Sequence, residues 1–187
     1  MINATLALLF GLFAWSFTEY AMHNWNGHLG KGRFVFSREH LAHHAKFDHR
    51  STWAARLHTA IPLLSSVLTL GWLVAGLWLG FVFTAGLSLG YLGYSWLHHD
   101  LHVSAPKTAY GRWVRRHHFY HHFSDSSANH GVTSPLWDWV FRTYRSPGLI
   151  EVPKNRMMPW LGDKDTATIS SEHAAHYTIK RRSRSAA

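Results

Sequence analysis

The stretch Leu57–Leu97, LHTAIPLLSSVLTLGWLVAGLWLGFVFTAGLSLGYLGYSWL, runs for 41 residues without an Asp, Glu, Lys or Arg. A helix crosses the hydrocarbon core of a bilayer with about 20 apolar residues, so this stretch is read as two spans, at roughly 58–76 and 79–97. Gly76-Leu77-Trp78-Leu79-Gly80 reads as the turn between them. A third span is read at roughly 2–22, where Glu19 is the only charged side chain. No basic run precedes it and no small-residue cleavage site follows, which argues against a signal peptide. Gly71, Gly76, Gly80, Gly86, Gly90 and Gly93 would weaken a water-exposed helix but suit close packing between membrane helices. The competing reading, a helical hairpin buried in a soluble protein, does not need so long an uncharged run.

The charges support the same reading independently. All 19 Lys and Arg fall in 31–56 and 107–184. Cytoplasmic segments carry the positive excess, so an outside N-terminus, three spans and a cytoplasmic C-terminus satisfy both charge and parity. The net charge of +9 comes with no zinc-finger, helix-turn-helix or RNP pattern, so no nucleic-acid partner is expected. It reads instead as topology plus attraction to anionic headgroups. The fold expected is an all-α integral membrane bundle with about three transmembrane helices and a cytoplasmic, histidine-rich helical cap. Its 187 residues divide into a membrane-embedded domain, 1–148, and a polar, flexible cytoplasmic tail, 149–187, ending in the solvated run Lys180-Arg181-Arg182-Ser183-Arg184.

Seventeen His against ten Asp and Glu, with no Cys, is the other anomaly. Without thiols there are no disulfides, zinc fingers or iron–sulfur clusters. Twelve of the imidazoles form four groups where the spans meet the cytoplasm: His23 and His28; His40, His43 and His44; His98, His99 and His102; His117, His118, His121 and His122. Residues three and four apart share a helix face, so His40, His43 and His44 project together, as do His118, His121 and His122. His98 and His102 make the i, i+4 pair that lets two imidazoles reach one ion. His23 and His28, five apart, would splay on an unbroken α-helix, and Gly27 suggests that the chain leaves the helix there. Ten imidazoles are too many for one ion and suit two, in an all-nitrogen or mixed nitrogen and oxygen site. His49, His58, His173 and His176 read as ordinary surface or core residues.

The ordered spacing H-x4-H, H-x2-H-H, H-x3-H, H-x2-H-H resembles the fatty acid hydroxylase superfamily of integral-membrane di-metal oxygenases, also called the sterol desaturase family. The segment from Asn129-His130-Gly131 through Trp137-Asp138 to Phe141-Arg142-Thr143 is similar to the one that follows that family's last box. The resemblance covers about residues 15–145. It implies a non-haem diiron centre bound by His23, His28, His40, His43, His44, His98, His102, His118, His121 and His122. That centre activates O2, as co-substrate, for attack on an aliphatic C–H bond of a fatty acyl, sterol or carotenoid-type lipid within the bilayer. Imidazole also accepts zinc, so zinc in isolated protein fits the same site. Family members commonly have four spans, and only about 22 residues precede the first box here, so a trimmed fold is expected. No cytochrome b5 domain is fused, so electrons are expected from an external cytochrome b5- or ferredoxin-like protein.

His99 and His117 are the rivals if either helix is rotated, and His130 is a neighbouring candidate. Glu19, Glu39, Asp100 and Asp125 are candidates for orienting the imidazoles from behind the ligands. Two other functions compete with hydroxylation: desaturation at the same site, and a non-enzymatic membrane metal-binding or transport protein. Transport calls for ionisable ligands at mid-membrane depth, and the apolar run between Leu57 and Leu97 has none there.

Overall fold

A computed structural model describes residues 2–46 and 49–180. It contains α1 (Ile2–Ala21), a π-helical segment (Met22–His28), α2 (Val35–Ala45), α3 (Trp53–Ala75), α4 (Leu77–Val103), α5 (Ala109–Phe123) and the short α6 (Leu136–Val140). Three helical stretches are long and apolar enough to cross a membrane: Asn3–His28, Trp53–Ala75 and Leu77–Val103. The chain is a helical membrane protein, with the three spans that the sequence indicates.

The spans are longer than expected and the turn between the last two is shorter. Gly76 alone, at φ +85°, separates α3 from α4. Only glycine adopts that conformation without penalty. Leu77–Gly80, expected in the turn, are the first residues of α4. That helix then runs on to Val103, so His98 and His102 ride on the end of a span.

The bundle is built on α4, which packs against both α1 and α3. A Cβ on Gly86 would lie 2.2 Å from the Leu8 carbonyl oxygen. One on Gly11 would lie 2.1 Å from that of Phe83. Backbones therefore meet directly, the packing that small residues permit between membrane helices. No residue of α3 is buried, and Leu6, Phe10, Leu73, Val74 and Trp78 are exposed. Water would not tolerate so much bare hydrocarbon, whereas acyl chains do.

The polar, flexible tail expected from residue 149 onward is instead folded through residue 179. Strands β1 (Ile150–Val152) and β4 (Tyr177–Ile179) pair in parallel, and β2 (Gly162–Asp163) pairs antiparallel with β3 (Thr168–Ile169). Ile150, Val152, Met157, Met158, Leu161 and Tyr177 bury against Phe119 of α5. The Arg156 guanidinium donates to the His44 carbonyl at the end of α2 (2.8 Å), and Trp160 Nε1 donates to the Leu101 carbonyl on α4 (3.1 Å). The segment thus closes over the ends of all three helices that carry the later histidine groups. Its apolar residues follow no helical or strand period and are broken by Pro153 and Pro159, so periodicity could not reveal them. Arg181, Arg182 and Arg184 lie outside the described residues.

Candidate metal centre

The π-helical turn resolves the awkward spacing of the first histidine pair. Hydrogen bonds from i to i+5 widen the turn, and His23 and His28 then face the same side, their rings 5.4 Å apart. Gly27 stands between them, where a Cβ would be 2.9 Å from Cδ2 of His40. Its missing side chain lets α2 press its histidines onto the π-helical segment. Ser37 of α2 fixes that approach, donating to the Gly27 carbonyl (2.7 Å) and accepting from the Gly32 N–H (2.8 Å).

The ten imidazoles form two sets of five. His23, His28, His40, His44 and His121 make the first, and His43, His98, His102, His118 and His122 the second; within each set the candidate donor atoms lie within 4.8 Å of one another. The second and fourth histidine groups are each divided between the two sets. His40 and His44, one turn apart, face the first and His43 the second; His121 faces the first and His118 with His122 the second. The sets adjoin, with the His44 and His122 rings stacked 4.2 Å apart.

The proton positions in the first set are compatible with metal binding. His121 Nδ1–H donates to the Ala128 carbonyl (2.7 Å), and His23 Nδ1–H donates to the His130 carbonyl (2.5 Å). A carbonyl only accepts, so in the neutral rings both Nε2 atoms carry lone pairs. These two lone pairs face each other at 2.9 Å. His28 and His44 also bring Nε2 to within 3.0 and 3.1 Å of His121 Nε2, and one neutral nitrogen cannot bond three such neighbours through hydrogens. A cation between them removes the repulsion. Nitrogens about 2.1 Å from a metal and at right angles about it stand about 3.0 Å apart, the spacing seen here. In the second set His102 and His118 Nε2 are 3.0 Å apart, while the buried Nε2 atoms of His43 and His122 have no hydrogen-bond partner among the described residues. The residues fit two metal ions.

Electrostatics favour the neutral, ligating form. Burial lowers the His43 pKa to about 4 and that of His44 to about 3. Burial, reinforced by neighbouring imidazoles, holds His40, His118, His121 and His122 well below the ordinary histidine value. Metal ligands must be deprotonated, and these rings already are at neutral pH.

The alternates fall elsewhere. His99 is exposed and contacts Arg50 (3.3 Å). His117 is buried against Asp138 (3.2 Å). His130 packs beside the first set, its ring 5.1 Å from that of His121, but is not among its five. The acids are otherwise engaged. Glu19 accepts from the Val132 and Thr133 N–H groups and the Thr133 hydroxyl, Asp100 pairs with Arg115 (2.8 Å), Asp125 caps Ser127, and Glu39 pairs with His49 (3.0 Å). Orientation of His23 and His121 comes from main-chain carbonyls of the loop 128–130 instead.

That loop hangs on Asp138, which sequence reasoning did not single out. Fully buried, it accepts from the His130 and Gly131 N–H groups (both 2.8 Å), the Thr143 hydroxyl (2.7 Å) and His117 Nε2 (3.2 Å). Burial raises its pKa, but the hydrogen bonds from His117, Thr143 and Gly131 outweigh this and leave it below the usual carboxylate value. The available signal was an acid set between Trp137 and Trp139, where only a satisfied carboxylate survives.

A cavity of about 280 Å³ opens onto His40, His43, His98 and His102 and runs between the membrane helices. Leu87, Tyr91, Tyr94, His98 and His102, spaced three or four apart on α4, line one wall. From Leu87 to His98 this face extends about 16 Å at 1.5 Å per residue. Fold and site together define a helical membrane protein with two adjoining imidazole clusters able to hold metal at the end of its spans, beside a largely apolar cavity.

Comparison with known proteins gives that class its family. The fatty acid hydroxylase family model matches residues 8–143, and the chain belongs to this family. It is 31% identical over 143 residues to the ceramide very long chain fatty acid hydroxylase scs7 of Schizosaccharomyces pombe, covering 72% of this chain and 41% of that protein. It is 32% identical over 152 residues to the fatty acid 2-hydroxylase of Homo sapiens, covering 72% and 38%. The dihydroceramide fatty acyl 2-hydroxylase FAH2 of Arabidopsis thaliana is 30% identical over 149 residues, covering 77% and 62%. The chain thus spans about two-fifths of the length of the first two relatives. A solved structure of full-length scs7p, in which only the hydroxylase domain is visible, matches with a TM-score of 0.66 at 25% identity, covering 78% of this chain and 58% of that one.

Proposed function

We propose that this protein is a membrane-bound lipid hydroxylase that inserts oxygen from O2 into an aliphatic C–H bond of an acyl chain, using two iron ions held by the ten imidazoles. The observation that carries this reading is the pair of adjoining imidazole sets at the polar end of a cavity walled by membrane helices. Iron supplies the oxidising power that no side chain has. The protein's own residues do the rest. His23 and His121, anchored through Nδ1 to the loop carbonyls, present fixed Nε2 lone pairs. Leu87, Tyr91 and Tyr94 give an acyl chain a dry path along α4. Burial of both sets keeps water from the reacting carbon. The polar end of the cavity and the imidazoles lie together, so the carbons nearest the lipid's head come closest to the metals, in keeping with the 2-hydroxylases among its relatives.

Electrons come from an external cytochrome b5- or ferredoxin-like protein. The N-terminus lies outside, and the imidazoles and C-terminus lie in the cytoplasm, where the basic segments place them. A reporter fused after Ala187 should be cytoplasmic, and a signal from the opposite side overturns this topology. The function is tested by lipid profiling of cells with and without the protein, paired with elemental analysis of purified protein. A hydroxylated lipid and close to two metal ions per chain are expected. A new double bond in place of a hydroxyl group makes the protein a desaturase, and one ion or none refutes the paired centre.

A further inference from the structure

The charged groups at the cavity's polar end are unequally paired. Arg50 and Arg56 line it, together with His49, His99 and the acids Glu39 and Glu19. Both acids are already satisfied: Glu39 by His49 at 3.0 Å, and Glu19 by the donors of Val132 and Thr133. The two guanidiniums are not. Arg50 touches only a ring nitrogen of His99, at 3.3 Å, and Arg56 lies over the face of Trp53, 5.4 Å from the ring centroid. Among the described residues neither donates to a carboxylate or a carbonyl.

Arginines with a structural task in this protein behave differently. Arg115 donates to the Asp100 carboxylate and to the carbonyls of Asp100, Ser104 and Gly111. Arg156 caps His44 and Arg116 bonds to Pro147. Arg50 and Arg56 instead line the polar end of the cavity, beside an apolar channel about 16 Å long by the rise of α4. A planar fork of N–H donors matches carboxylate and phosphate oxygens.

We propose that Arg50 and Arg56 form a head-group subsite that selects a single-chain amphiphile with an anionic head, a carboxylate or a phosphate, over neutral lipids. The acyl chain then runs along the Leu87, Tyr91 and Tyr94 face, and the carbons next to the head lie beside His98 and His43. This rests on the lipid hydroxylase reading for its meaning, but it is tested by binding alone.

The full-length protein in neutral detergent is titrated with palmitate, its methyl ester, a palmitoyl lysophosphatidic acid, and phosphatidylglycerol vesicles against phosphatidylcholine vesicles. Palmitate or the lysophosphatidic acid should bind about tenfold more tightly than the ester, one ion pair's worth, with the gap narrowing as salt rises. The variant carrying Arg50→Gln and Arg56→Gln should lose the preference while keeping its metal content and melting temperature, and Arg50→Lys with Arg56→Lys should recover part of it. Tighter palmitate marks a free fatty acid as occupant, and preference for the phosphate alone marks a lysophospholipid; both support the subsite. Equal affinity for acid and ester, a preference that survives the glutamine variant, or preference only for phosphatidylglycerol vesicles overturns it. If the preference is found but lipid profiling shows no oxidised product, the hydroxylase reading fails and the subsite stands. A hydroxylated product without any preference refutes the subsite and leaves the hydroxylase reading intact.

Discussion

Replacing Asp138 by Asn should strip one metal ion from this protein and leave the other. The carboxylate receives four hydrogen bonds, two on each oxygen: His130 N–H and the Thr143 hydroxyl on Oδ1, Gly131 N–H and His117 on Oδ2. Asn keeps one accepting oxygen and turns an NH2 group toward the other pair, so one backbone N–H loses its acceptor, the His117 ring or the Thr143 hydroxyl has to turn to accept instead, and the remaining bonds lose their charged partner. Hydrogen bonds to a charged group contribute about 1.5–3 kcal/mol each. Asn also avoids the cost of burying a charge, so one lost bond and the weakening of the rest should amount to about 3 kcal/mol at most. A fold with about 5–15 kcal/mol in hand survives that. The loop 128–130 loses its anchor, however, and with it the carbonyls that fix His121 and His23. Loss of such an outer partner typically weakens metal binding about 10–100-fold, and both affected imidazoles belong to the first set. The assay is elemental analysis after dialysis against graded chelator, with a melt recorded alongside. Near one ion per chain is expected at chelator levels where the wild type keeps two, while Asp125→Asn, at an exposed turn in the same region, should behave as wild type. Asp138→Asn protein that retains both ions at wild-type chelator resistance would rule out this role for the carboxylate.

Other consequences are equally direct. Met158 is fully buried in the cluster beneath Phe119, and Met158→Ala should cost about 2–5 kcal/mol, read as a lower melting temperature. An unchanged melt would mean that the segment after residue 149 is not part of the folded unit. Gly27→Ala places a methyl group 2.9 Å from the His40 ring and should weaken the first metal ion, as seen by chelator titration, with little change in the second. In metal-free protein the pKa values of His43 and His44, lowered by burial to about 4 and about 3, mean that the unfolded chain binds more protons than the folded one below the ordinary value of 6.5. Stability should therefore be full above pH 6.5 and fall as the pH drops toward 4, at up to about 1.4 kcal/mol per pH unit for each ring. Denaturant melts of chelated protein at pH 7.5 and 5 test this, and equal midpoints would contradict it.

Much of this was legible because the relevant signals are local. Forty-one uncharged residues announce two spans whatever packs around them, and i, i+4 spacing places His98 with His102 on one helix face. Legibility ended where a property depends on main-chain geometry or on partners distant in the chain. The five-residue separation of His23 and His28 suggested a chain leaving the helix, whereas the helix stays and widens to a π turn. The acids nearest the histidines, Glu19 and Asp100, looked like orienting groups. The structure turns them to Val132, Thr133 and Arg115, and hands the orienting role to carbonyls that every residue possesses and no sequence distinguishes.

By itself the sequence determined the kind of molecule: a membrane-spanning helical chain with ten imidazoles in four groups, because hydrophobicity and ligand chemistry belong to side chains. Only the tertiary structure decided how those ten divide. His43 parts from His40 and His44, and His121 from His118 and His122, because neighbouring positions on one helix diverge by about 100° and two different partners wait on the two sides. It also decided that the segment after residue 149 is folded, since that follows from a complementary surface on α5 rather than from any period of its own. Asp138 became structural in the same way. A carboxylate is buried only where four donors converge on it, and those donors come from positions as far apart in the chain as His117 and Thr143.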